Sequence, residues 1–231
     1  MTPPVLDSFG RVIQKQIDHW EPRSGVALAL AKIAPHYGQS GNLVKTVTRV
    51  STFFVQQGLG DRSEHVRKNM LDAAVVTVNL HGKVSAEALL PVFEEFMENA
   101  PKSEVYDNVR QSVVILMGSL AKHLDSTDPK VRPIMRQLII ALKTPSQQVQ
   151  EAVANCLPPL VPAIKEEAPE IVSKLIATLL GDHVSYGERK GAAYGVAGIV
   201  KGLGILSLKQ LDIMGKLTEA ITDKKVCLLY T

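Results

Sequence analysis

Five segments of this 231-residue chain carry an Arg or Gln at the head of an apolar, Ala-rich run, and they recur at a nearly fixed interval. They begin at Arg23 (RSGVALALAKIA), Arg67 (RKNMLDAAVVTVN), Arg110 (RQSVVILMGSLAK), Gln150 (QEAVANCLPPLVP) and Arg189 (RKGAAYGVAGIVK). The steps between them are 44, 43, 40 and 39 residues. A period of about 40–47 residues on paired helices marks an α-solenoid of the HEAT or armadillo type. In such an array each helix pair packs on its neighbours, which yields a long outer surface and no built-in reaction centre. The expected class is all-α, a superhelix of antiparallel helix pairs.

Composition fits that class. Apolar residues make up 45% of the chain and aromatics only 5%, so the core must be Leu, Val, Ile and Ala, a mixture that favours helices over strands. Partner helices lie between the Arg-headed runs, each with its own apolar stripe. Leu43, Val47, Val50 and Phe54 step by 4, 3 and 4, as do Val131, Met135, Leu138 and Leu142. Leu6, Phe9, Ile13, Ile17 and Trp20 predict a further helix, as do Leu89, Phe93 and Phe96, and Ile171, Leu175 and Leu179. Leu208, Leu211, Leu217 and Ile221 predict a last one. Capping boxes are expected at Thr144–Gln147, Ser185–Glu188 and Ser207–Gln210. Pro22 and Pro129 suit helix starts, and Gly41, Gly82 and Gly181 read as breaks. The expected organisation is one continuous solenoid over residues 1–225. Its repeats span 1–40, 41–82, 83–124, 125–165 and 166–206, with a half repeat at 207–225. Both ends are expected to expose an apolar helix face. Residues 226–231 (VCLLYT) read as a non-homologous tail from a probable truncation.

Several chemistries find no support. Cys156 and Cys227 are too few for a disulfide framework, no Asn-x-Ser/Thr acceptor occurs, and no signal pattern opens the chain. A cytosolic location is the default, with no membrane partner. The longest apolar stretch, 191–208, is Gly/Ala-rich and broken by Lys201. The histidines at 19, 36, 65, 81, 123 and 183 stand singly, without metal-ligand spacing. No metal, cofactor or catalytic residue is expected, and the chain reads as no enzyme.

Three features of the sequence have plain structural readings. The recurring Arg23, Arg67, Arg110, Gln150 and Arg189 read as structural positions, each pairing with a carboxylate or carbonyl near its own turn; a hydrogen-bonding role survives Gln at 150, whereas a charge ladder does not. Gly191, Gly195, Gly198, Gly202 and Gly204 crowd one segment without GxGxxG or a P-loop, so close helix approach is expected. Pro158, Pro159 and Pro162 predict a kink. Charge is uneven: residues 185–231 hold seven Lys/Arg and four Asp/Glu, whereas 1–184 hold nineteen of each. If this basic end meets RNA phosphates, Arg189, Lys190, Lys201, Lys209 and Lys216 are the candidates.

The runs LLPVFEEFMENAP (89–101), VRQSVVILMGSLAKHLD (109–125), TPSQQVQEAVANCLPPLVPAIKE (144–166) and ERKGAAYGVAGIVKGLGILSLKQ (188–210) carry a resemblance. They resemble the central part of the HEAT-repeat translational activators of the general amino-acid control kinase, beside the stretch similar to fungal elongation factor three. The resemblance spans roughly residues 5–225. It implies a non-catalytic cytosolic scaffold on translating or stalled ribosomes. It also implies a role in the amino-acid-starvation response, through a kinase acting on the alpha subunit of initiation factor two. In that family the kinase, and an ATP-binding-cassette co-activator, are engaged through regions outside this chain. The alternative reading is a generic HEAT-repeat adaptor of the transport or phosphatase-scaffold type.

Overall fold

A computed structural model describes residues 4–14, 17–101, 103–181 and 183–222 of the chain, so the expected tail at 226–231 lies outside the described residues. The architecture is helical: α1 (Glu21–Ile33), α2 (Leu43–Phe53), α3 (Glu64–Asn99), α4 (Glu104–Ala121), α5 (Val131–Ala141), α6 (Gln147–Cys156), α7 (Ala168–Leu180), α8 (Tyr186–Leu203), α9 (Leu206–Gln210) and α10 (Ile213–Thr222). A short π-helical turn, Phe54–Gly58, extends α2, and 3-10 segments cover Ala34–Ser40 and Pro158–Ile164. Packing divides the chain into two compact units, Met1–Val109 and Arg110–Thr231.

In the first unit α3 is the long central element, packed against by α1 and α2. Asn69 Nδ2 donates to Ser24 Oγ at 2.6 Å, and His81 Nε2 lies 2.8 Å from the Ala34 carbonyl oxygen. Both contacts advance in the same chain direction, so α1 and α3 run parallel, as second helices of successive repeats do. Ala27, Val47, Phe54, Val66, Leu89 and Phe93 are buried in this unit.

In the second unit α8 packs on α7, on α6 and on the 3-10 segment that continues α6. The glycines explain how closely. Each Gly inside a helix costs about 1 kcal/mol against Ala, so a set of them needs a packing reason. Gly191, Gly195, Gly198 and Gly202 step by 4, 3 and 4 along one face of α8. A Cβ at Gly195 would meet Leu142 Cδ1 at 2.6 Å, one at Gly198 the Ala154 carbonyl at 2.8 Å, and one at Gly202 the Pro158 carbonyl at 2.7 Å. At Gly191 it would run into the carbonyl of Leu142. Close helix approach is what these glycines serve. The prolines fit as well: α6 ends at Cys156, and the donor-poor run from Pro158 continues as a tighter 3-10 turn.

The structure corrects five local expectations. Leu6, Phe9, Ile13, Ile17 and Trp20 do not form a helix; Val5–Leu6 and Val12–Gln14 pair as antiparallel strands β1 and β2. Asp7 Oδ1 accepts from the backbone N–H of Phe9 and Arg11, and Gly10 takes φ +77°. A short acidic side chain that captures nearby donors, followed by a left-handed Gly, builds a tight turn where the stripe alone read as a helix. Gly82 breaks nothing: α3 runs unbroken for 36 residues, so the expected boundary at 82/83 falls inside it. Thr144 caps no helix, because α6 starts one residue after Ser146. Ser207 lies inside α9, with its hydroxyl on the Gly204 carbonyl. The last stripe splits at Asp212, at φ +48°, between α9 and α10. The Ser185–Glu188 capping box is present in both directions.

Candidate functional site

The recurring Arg/Gln position becomes intelligible once its partners are seen. Arg23 sits near the start of α1 and donates through Nε and Nη2 to both oxygens of Asp61, at 2.7 and 3.1 Å. It also reaches back to Asp18 at 2.9 Å and to the His19 carbonyl at 2.9 Å. Arg62 donates to the other oxygen of Asp18 at 2.6 Å. Arg67, the fourth residue of α3, caps the carbonyls of Asp61 and Arg62 at 2.7 and 3.0 Å. The loop before α3 is therefore held from two successive repeats at once. Bidentate Arg–carboxylate geometry of this kind is among the stronger polar contacts available.

Electrostatics follow the geometry. Hydrogen bonds from Arg62 and Arg23 hold the Asp18 carboxyl far below the usual carboxylate range. Burial by itself would raise Asp61, but hydrogen bonds from Arg23 and from the Ser63 N–H outweigh it and leave that carboxyl depressed too. Gln150 repeats the arrangement without charge. Its side chain is fully buried, and Nε2 lies 3.2 Å from the Leu142 carbonyl, 2.7 Å from Thr144 and 2.8 Å from Gly187. Arg110 is half-buried on α4. Arg189 is half-buried on α8, and its Nε is buried with no hydrogen-bond partner among the described residues.

The described candidates of the basic end are carried by three elements, Arg189, Lys190 and Lys201 on α8, Lys209 on α9 and Lys216 on α10. Lys190 and Lys201 lie eleven residues apart on α8, which puts them on one face about 16 Å apart along the axis. Lys190 Nζ is bonded to Gln147 Oε1 at 2.6 Å, whereas Lys201 and Lys209 are exposed and Lys216 is half-buried. A surface group between α6 and α8 escapes any reading of single residues: Gln147 and Tyr194 both donate to Glu151 Oε1, at 2.7 and 2.8 Å. The 43-residue offsets from Gln147 to Lys190 and from Glu151 to Tyr194 match the repeat period, which is the signal that could have paired them.

What the arrangement can do is present surfaces. Among the described residues no three His, Cys, Asp or Glu groups converge as metal ligands, and no helix is long and apolar enough to cross a membrane. Burial pushes the Cys156 thiol up, away from the reactive thiolate.

Comparison with known proteins gives the family. The family described as "Stalled ribosome sensor GCN1, HEAT repeats" matches residues 1–122. The "Stalled ribosome sensor GCN1" of Homo sapiens is 60% identical over 224 residues, covering 96% of this chain and 8% of that protein. "Protein ILITYHIA" of Arabidopsis thaliana is 41% identical over 206 residues, 89% of this chain and 7% of its own length. The "eIF-2-alpha kinase activator GCN1" of Saccharomyces cerevisiae is 38% identical over 226 residues, 96% of this chain and 8% of its own length. The chain thus spans less than a tenth of the curated relatives it matches. No solved structure matches it. Over half the chain answers to the family, and the identity continues through the α8 segment that the repeat glycines shape: the chain belongs to the HEAT-repeat family of the stalled ribosome sensor GCN1.

Proposed function

We propose that this chain is a non-catalytic segment of a ribosome-associated scaffold in the cytosol, one that serves detection of stalled ribosomes and activation of the eIF-2-alpha kinase. The observation that carries the reading is 60% identity across 96% of the chain to a protein named as a stalled ribosome sensor. The name "eIF-2-alpha kinase activator" on the yeast relative supports the downstream role. A solenoid contributes to such a task by extended contact. Among the described residues of the basic end, Lys201 and Lys209 are exposed and most available to ribosomal RNA phosphates, and Lys216 is half-buried. Lys190 is held by Gln147 and the Arg189 Nε is buried, so both have less to offer a phosphate than the exposed lysines.

Ribosome co-sedimentation of the chain at low and moderate salt tests the reading. The expected result is pelleting that moderate salt weakens and that a Lys201→Glu/Lys209→Glu/Lys216→Glu variant loses. Folded protein that stays in the supernatant at both salts refutes a ribosome contact in this segment.

A further inference from the structure

The charges of residues 1–184 cancel, and the sum conceals a basic helix. The stretch 130–143, which carries α5, holds Lys130, Arg132, Arg136 and Lys143 and no Asp or Glu. Arg136, Ile140 and Lys143 step by 4 and 3, so one face presents an apolar side chain between two cations. All three are exposed, Ile140 by 64%, although Val131, Ile134, Met135 and Leu138 of the same helix are buried.

A lone exposed Ile is ordinary, but this one borders a groove. Where α5 and α7 end and α8 begins, Ile140 helps to line an opening of about 290 Å³. Ile139, Ile171, Leu175 and Ala192 supply the rest of its apolar lining, and Lys143, Lys174 and Glu188 its charges. The volume is at the low end for a ligand cleft, with room for about one or two side chains. The helix pairs on either side, α5 with α6 and α7 with α8, are both in place, so the groove is no seat left for a further repeat.

The carboxylates around it are already engaged. Glu188 Oε2 accepts from the Ser185 N–H and hydroxyl at 3.3 and 2.9 Å, and Glu170 takes Lys174 at 2.6 Å. Glu167 is shared by Arg132 and Arg136, at 3.5 and 3.8 Å. Exposed ion pairs of that length hold weakly. Among the described residues Lys143 has no carboxylate partner. The groove is therefore apolar within and short of negative charge at its edge.

We infer that it is a docking site for an acidic segment of a partner protein. One large apolar side chain of that segment enters beside Ile140, and carboxylates on either side of it meet Arg136 and Lys143. A buried apolar anchor supplies affinity in such a contact, and the charges supply orientation and encounter rate. An RNA backbone would answer the cations and leave the apolar lining wet. The chain's own last nine residues, DKKVCLLYT, carry two lysines against one aspartate and lack the charge required. These residues are distinct from the lysines proposed to meet the ribosome, so either surface stands without the other.

The test selects a phage-displayed library of random octapeptides on the full 231-residue chain, and in parallel on its Ile140→Glu variant. Peptides with Asp or Glu on both sides of a Leu, Ile, Phe, Met or Trp are expected on the parent and not on the variant. A labelled peptide of that consensus is then titrated by fluorescence anisotropy. Lys143→Glu is expected to weaken it by about tenfold or more. Lys45→Glu, exposed on α2 of the first unit, is expected to leave it unchanged. Ile140 and Lys143 are exposed, so thermal melts of their variants should match the parent. No consensus, a consensus without acidic residues, or equal weakening by Lys45→Glu overturns the inference. Poly-uridylate that displaces the peptide and itself fails to bind Ile140→Glu would make the groove an RNA site and overturns it. A dimer in sedimentation that Ile140→Glu dissolves would seat a second copy there, and overturns it equally.

Discussion

Gln150 stands where the other repeats place an arginine, with two N–H bonds to share among three carbonyls. It is fully buried, and its own carbonyl oxygen has no partner among the described residues. Gln150→Leu keeps the volume and removes the unpartnered oxygen, but it orphans the carbonyls of Leu142, Thr144 and Gly187. The cost of orphaned buried acceptors should prevail, at about 1–3 kcal/mol, read as a lower urea midpoint at unchanged slope. At Arg23 the same geometry is ionic and therefore pH-dependent. Asp18 and Asp61 both titrate below their unfolded value in the folded chain. Their stabilisation is thus fully present above the unfolded carboxylate value of about 3.9 and is lost as pH falls from there through the folded values. Urea unfolding at pH 7 and pH 3 should show a loss on acidification. Asp61→Asn should be less stable than the parent at pH 7 and should lose less between the two pH values.

At the scale of elements, the glycines of α8 and the lone glycine of α1 make opposite predictions from one propensity. Gly25 lies in α1 with nothing within 4 Å of a built Cβ. Gly25→Ala should therefore stabilise by about 0.5–1 kcal/mol through helix propensity and unfolded-state entropy. Gly191 would drive its Cβ into the carbonyl of Leu142, a backbone atom that cannot swing aside. Gly191→Ala should gain the same propensity and still lose overall, by about 1–3 kcal/mol of overpacking. Thermal melts of the two variants should move in opposite directions. The long α3 shows where element-level reasoning fails. Gly82 looks like a stop, yet Ala73, Val78, Ser85 and Leu89 are buried on either side of it, and packing carries the helix through. Val76, Leu80 and Val84, spaced by four, remain exposed along one face of that helix.

At the scale of the whole molecule, charge and repeat make separate demands. The net +3 resides in residues 185–231, and its described cations Arg189, Lys190, Lys201, Lys209 and Lys216 sit on three elements, α8, α9 and α10. A ribosome contact through Lys201, Lys209 and Lys216 should therefore resemble a few independent phosphate contacts. Each charge reversal should lower the slope of log affinity against log salt by about one, measured by titrating ribosome binding over a salt series. A reversal that weakens binding without changing the slope would point to a protein surface on the ribosome in place of RNA.

The period of the Arg/Gln position, the 4-3-4 stripes and the paucity of aromatics determined by themselves that this chain is a helical repeat, and the matching runs determined its family. Those signals are local or periodic, and a 3.6-residue pattern repeated every forty residues has few other solutions. Tertiary structure alone decided what each repeated residue holds. Arg23 meets Asp61 38 residues away, Gln150 meets Gly187 37 residues away, and Gly191 meets the backbone of Leu142. It also decided that residues 5–14 turn back as a hairpin and that Gly82 lies inside a helix, because there a side-chain cap or the packing of neighbours outweighs a stripe or a propensity worth about 1 kcal/mol.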